Sequence, residues 1–126
     1  MPTRALVLGL GVTGRAVVAA LVAHGSSVTA TDDRLGAEGA ALAAELGATW
    51  VDPPADSWVE LVATHDGVLP SPGVPERHPI FAAARIARVP VRSELDLAAA
   101  WDDRPIALIT GTNGKTTVTT MVTEML

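Results

Sequence analysis

Short apolar runs alternate along the chain with longer segments of helical spacing. Residues 4–9 predict a buried strand, and residues 12–24 predict a helix behind it. Residues 27–31 predict a second strand and 36–46 a second helix, followed by a weak strand around 48–51. Another strand is expected over 66–70, running into Ser71, Pro72 and Gly73, and 78–88 reads as a helix. Residues 89–92 predict a short strand. Pro90 has no N–H to give to a ladder, so this strand belongs at a strand start or a sheet edge. The βαβα rhythm predicts an α/β fold, a Rossmann-like parallel sheet with flanking helices. Helix 12–24 is apolar nearly all round from Ala16 to Ala23, as expected for close packing on such a sheet.

The pattern then restarts. Residues 93–104 hold a short helical piece, Glu94 to Trp101, and a charged run ending before Pro105, which reads as a linker. Residues 106–109 predict a new buried strand, followed by a glycine loop and a helix from about Thr116 to the end. In that helix Val118, Met121, Val122, Met125 and Leu126 share one face. The expected division is a first domain over 1–92, a linker over 93–104 and the start of a second α/β domain over 105–126. Strand 106–109 needs parallel neighbours, and no later segment supplies them. The expectation is therefore a second domain cut just after its first strand, loop and helix. The alternative is that this strand joins the edge of the first sheet.

Composition narrows the function classes. Of 126 residues 48% are apolar and 18% charged, which suits a folded chain with a core. Alanine is abundant and aromatics are scarce, as genome composition alone can produce. The net charge of −5, with no basic cluster, argues against a nucleic-acid partner. With no cysteine there is no disulfide, thiolate nucleophile or Cys-based zinc site. His24, His65 and His78 are scattered without metal-ligand spacing. The run Ala5 to Leu8 after Arg4 loosely resembles a signal peptide, but Gly9, Gly11, Gly14 and Arg15 interrupt it. No run approaches the ~18 apolar residues of a membrane span, so a soluble cytoplasmic protein without a membrane partner is expected.

Two loops carry candidate phosphate chemistry. Gly9-Leu10-Gly11-Val12-Thr13-Gly14 is a G-x-G-x-x-G after a predicted strand and at a predicted helix start. There the backbone approaches a diphosphate closely, and the helix N–H groups and dipole favour the anion. Asp32 ends the second strand, where a carboxylate can accept hydrogen bonds from a ribose, and Arg34 could hold a phosphate or stack on a base. Ser71-Pro72-Gly73 follows a third strand end, so Gly11, Asp32 and Ser71 can converge on one ligand. The second loop is Gly111-Thr112-Asn113-Gly114-Lys115-Thr116-Thr117. It holds the only lysine beside eight arginines. A compact ammonium fits a tight phosphate loop better than a planar guanidinium. The strict Walker A spacing fails, because Ile109 stands where its first glycine would be. The parts remain: Lys115 for the β- and γ-phosphates, the Thr116 hydroxyl for Mg²⁺, and the helix-start N–H groups for the cradle.

Together these segments resemble the N-terminal part of a Mur ligase, and the resemblance covers the whole chain. It rests on Gly9 to Ala16, Asp32-Asp33-Arg34, Ser71-Pro72-Gly73-Val74 with His78-Pro79, and Ile109 to Thr117. The first three segments resemble the D-glutamate-adding branch, and Asn113 stands where the alanine-adding branch usually has histidine. The resemblance implies that Gly11, Val12, Thr13, Asp32, Asp33, Arg34, Ser71 and Gly73 contact the UDP end of a substrate. It implies ATP on Gly111, Thr112, Asn113, Gly114, Lys115, Thr116 and Thr117, with Lys115 catalytic and Thr116 on Mg²⁺. The implied substrates are UDP-N-acetylmuramoyl-L-alanine and D-glutamate, joined through an acyl phosphate in a monomeric cytoplasmic enzyme of peptidoglycan synthesis. Family chains are several times longer, so residues 1–126 alone are expected to lack ligase activity. At Asp33 the family often has threonine. Two other readings stand beside this one. An NAD(P)-binding module of a dehydrogenase or regulatory protein leaves the Lys115 loop unexplained, and a non-catalytic P-loop switch leaves the first loop unexplained.

Overall fold

A computed structural model describes residues 1–105, 109–111 and 113–125. The strand expected at 106–109 lies mostly outside the described residues, as do Thr112 and Leu126. Strands β1 (Arg4–Leu8), β2 (Ser27–Thr31), β3 (Thr49–Trp50) and β4 (Gly67–Pro70) form one parallel sheet in the order β3-β2-β1-β4. Helices α1 (Val12–Ala23), α2 (Ala37–Glu45), α3 (Trp58–Ala63), α4 (Pro79–Ala87), α5 (Glu94–Trp101) and α6 (Lys115–Met125) complete the fold.

β1 is central, and Ala5, Leu6, Val7 and Leu8 are all buried. Successive side chains of a strand point to opposite faces, so an unbroken apolar run serves two cores. Ala5 and Val7 pack with Val17, Val18 and Leu21 of α1 and Ala43 of α2. Leu6 and Leu8 pack with Trp58, Val62, Ile80, Ala83 and Ala84 from α3 and α4. α1 uses only part of its apolar surface, since Ala16, Ala19 and Ala23 remain exposed.

Several elements differ from the sequence expectation. α3 has no counterpart in it. Its six residues are too few to display a helical period, although Ser57 caps it by accepting the Val59 N–H at 3.2 Å. The strand expected at 89–92 reduces to a single bridge between Val68 and Val91. Val68 N–H donates to Pro90 O at 3.0 Å and Arg92 N–H to Val68 O at 2.8 Å, so the segment touches the sheet edge without a ladder. Part of the expected linker packs on the first core. Ser93 and Asp96 form a capping box at the start of α5, Leu97 is buried, and Trp101 stacks on His24 with ring centroids 3.8 Å apart. α6 buries none of its described side chains.

The start of β1 is pinned from β4's side. Asp66 accepts from the Thr3 hydroxyl at 2.6 Å, the Arg4 N–H at 3.0 Å and the Thr3 N–H at 3.2 Å. Desolvation pushes its carboxyl up, but these hydrogen bonds and the nearby Arg4 charge outweigh it and hold the group below its ordinary value of 3.8. A depressed carboxyl stabilises the fold above its unfolded pKa, and that contribution is lost as pH falls through the lower folded value. Urea midpoints measured from pH 6 downward are therefore expected to fall less steeply below about pH 4 in Asp66→Asn than in the unmutated chain.

Candidate functional site

The carboxyl ends of β1, β2 and β4 open into a cleft of about 490 Å³. Its geometry begins at the first glycine loop. β1 stops at Leu8 rather than at residue 9, because Gly9 turns the chain with φ +96°. The turn is held on both sides: Gly9 N–H donates to Thr31 O at 2.8 Å, and the Ser71 hydroxyl donates to Gly9 O at 3.0 Å. A Cβ on Gly14 would stand 1.8 Å from Gly9 O, so only glycine lets α1 sit this close to the strand end.

Gly11 is different. It is the N-cap of α1, supplies no side-chain cap, and a Cβ there would meet no protein atom within 4 Å. The helix start thus presents uncapped N–H groups and the positive end of its dipole to the cleft. Val12, at the first helical position, is 82% exposed.

All eight residues expected at the UDP end line this one cleft: Gly11, Val12, Thr13, Asp32, Asp33, Arg34, Ser71 and Gly73. Two do more than expected. Asp32 Oδ2 accepts the Leu10 N–H and its Oδ1 the Arg34 N–H, both at 2.8 Å. The carboxylate is therefore first a brace between the glycine loop and the β2 end, with only its remaining lone pairs for a ligand. Asp33 accepts from His78 Nε2 at 2.7 Å.

Sequence reasoning assigned no role to His78, quoted only as part of a motif, or to Arg92. Arg92 lines a small cavity with Thr13, Gly14 and Ser71, and its Nε is buried without a hydrogen-bond partner among the described residues. The chain crossing at the Val68–Val91 bridge brings it there, a proximity that no local pattern encodes.

The second loop is described except for Thr112. Gly111 and Gly114 have φ +146° and +78°, and α6 begins at Lys115 with Val118 N–H donating to Gly114 O at 3.0 Å. Asn113, Lys115, Thr116 and Thr117 are exposed, and none of them lines the cleft. Among the described residues no group of three or more acidic or histidine side chains could hold a metal. No helix there is long and apolar enough to cross a membrane.

A parallel sheet with a glycine turn, an uncapped helix start and a carboxylate after the next strand defines an α/β module of Rossmann type. The sequence matches the family described as Mur ligase MurD-like, N-terminal domain, over residues 3–93, and the chain belongs to that family. It is 49% identical over 98% of its length to the UDP-N-acetylmuramoylalanine–D-glutamate ligase of Sphingopyxis alaskensis, and covers 28% of that protein. Among solved structures it resembles the UDP-N-acetylmuramate–alanine ligase of Thermotoga maritima, with a TM-score of 0.60 and 27% identity, over 98% of this chain and 28% of the other. The fold is also that of saccharopine dehydrogenase from Saccharomyces cerevisiae, with a TM-score of 0.61 and 23% identity, over 72% of this chain and 21% of the other.

The contrast between the two glycines is testable. Gly11→Ala is expected to leave the melting midpoint within about 2 °C while weakening any ligand held at this helix start at least about tenfold, because its methyl group would enter the open cleft and no space the protein uses. Thermal melting followed by calorimetric titration checks both halves.

Proposed function

We propose that residues 1–92 form the domain that binds the UDP end of UDP-N-acetylmuramoyl-L-alanine. Residues 93–104 would then be the connection, and 105–126 the start of the ATP-binding domain of a D-glutamate-adding ligase. The observation that carries this reading is the convergence of all eight expected residues on one cleft at an uncapped helix start. Family membership supports the choice of ligand over a dinucleotide. The chain spans 28% of the length of its Sphingopyxis relative, so the activity is proposed for the longer protein.

In this reading the diphosphate lies at the N–H groups of Gly11, Val12 and Thr13, where fixed dipoles offset its charge. Asp33 and the free lone pairs of Asp32 take nucleoside hydroxyl or N–H donors. Arg34 lies at the same rim. In the second loop, residues 111–117 would hold ATP, with Lys115 placed for the γ-phosphate and Thr116 giving one ligand to Mg²⁺. ATP with Mg²⁺ would supply the activated phosphoryl group for acyl-phosphate formation. Lys115 would offset the repulsion between the approaching carboxylate and phosphate. An enzyme of this kind, acting on a soluble nucleotide substrate, fits the cytoplasm and a monomer.

The test is phosphate release by the longer protein. Release that requires ATP, UDP-N-acetylmuramoyl-L-alanine and D-glutamate together is the expected result. Release without D-glutamate, or with L-alanine in its place, would overturn the assignment.

A further inference from the structure

Asp33 sits in the cleft wall with its side chain 47% exposed, and an exposed carboxylate normally samples several rotamers. Here one oxygen is tied to a histidine that is itself held from three sides. His78 is the N-cap of α4, and Pro79 behind it restricts it to extended backbone, observed at ψ 137°. Its Nδ1 accepts the Ile80 N–H at 3.1 Å, which leaves the ring hydrogen on Nε2. That hydrogen is donated to Asp33 Oδ2 at 2.7 Å. The ring also packs edge-on against Trp58, with centroids 5.0 Å apart, and the histidine side chain is only 10% exposed.

We infer that His78 is a positioning residue, which holds Asp33 as a hydrogen-bond acceptor for the nucleoside end of the ligand. The inference rests on the reading of the cleft as a uridine-nucleotide site. Asp33 Oδ1 makes no hydrogen bond among the described residues. An ionised carboxylate only accepts, so its ligand partner is an N–H or O–H group and not a phosphate. That places Asp33 at the base or ribose, with the diphosphate at the start of α1. Fixing the rotamer before binding removes an ordering cost from association.

The test uses His78→Asn and Asp33→Ala in the 126-residue chain, with UDP as the titrant. Asparagine is among the best N-caps, so α4 keeps its cap acceptor, but the shorter amide does not reach Asp33. His78→Asn is expected to melt within a few degrees of the unmutated chain and to bind UDP about tenfold more weakly. Asp33→Ala is expected to lose about as much or more, and adding His78→Asn to it should cost nothing further. Undiminished UDP binding by either single variant overturns the inference, and so does a full additional loss in the double variant. Should His78→Asn not fold, His78→Ser, another cap acceptor too short to reach Asp33, takes its place in the single and double variants. Failure of the unmutated chain to bind UDP overturns the reading of the cleft, and the inference falls with it.

Discussion

Gly14→Ala is expected to destabilise the fold by at least about 3 kcal/mol and to lower the melting midpoint by more than about 10 °C. The new Cβ would stand 1.8 Å from Gly9 O and 2.8 Å from Gly9 C, far inside contact distance. Neither partner can yield cheaply. Gly9 is tied to Thr31 through its N–H and to Ser71 through its carbonyl, so moving it disturbs the ends of β2 and β4 together. α1 cannot retreat without pulling Val17, Val18 and Leu21 out of the core. Inserting a single methyl group into packed structure commonly costs about 1–3 kcal/mol, and rigid backbone on the other side places this site at the upper end or beyond. Thermal denaturation followed by circular dichroism measures the effect. An unchanged midpoint would mean that the glycine turn is not built as described.

Lys115→Ala in the longer protein is expected to reduce acyl-phosphate formation by at least about 10²–10³-fold, the scale set by losing one preorganised charge or donor at a transition state. UDP binding should stay within about twofold, because Lys115 lies on the second loop and does not line the cleft. Lys115→Arg is expected to recover little, since a planar guanidinium does not replace a point charge inside a tight phosphate loop. ATP-dependent phosphate release measures the first effect and calorimetric titration the second. Equal loss of both would contradict separate sites for UDP and ATP.

The sheet was legible in the sequence where two faces had to be filled at once. β1 and β4 are short apolar runs with covered faces, and β2 is followed directly by the acidic Asp32 beside the glycine loop. The convergence of Gly11, Asp32 and Ser71 was legible for a topological reason, since three strand ends in a parallel sheet place their following residues at one rim, whereas Val12, Thr13, Asp33 and Gly73 were implied only by the family resemblance. Element ends were read too long, because flanking residues such as His24, His78 and Leu46 act as caps outside the helix proper. α3 was missed because a six-residue helix held by one cap and two buried side chains shows no period. The partners of Asp32 and Asp33 were not legible. A carboxylate at a strand end signals a ligand contact, but its engagement by the Leu10 N–H or by His78 depends on chain segments 22 and 45 residues away. Arg92 is the same kind of case, delivered to the small cavity beside Thr13, Gly14 and Ser71 by the lone Val68–Val91 bridge.

The central claim is that the first glycine loop holds a uridine diphosphate. Parallel calorimetric titrations of the chain with UDP and with NADH test it most directly. The account predicts saturable one-to-one binding of UDP, abolished or strongly weakened by Gly11→Ala, and no comparable binding of NADH. Tight binding of NADH without binding of any uridine nucleotide would contradict it and return the cleft to the dinucleotide reading that its fold also permits.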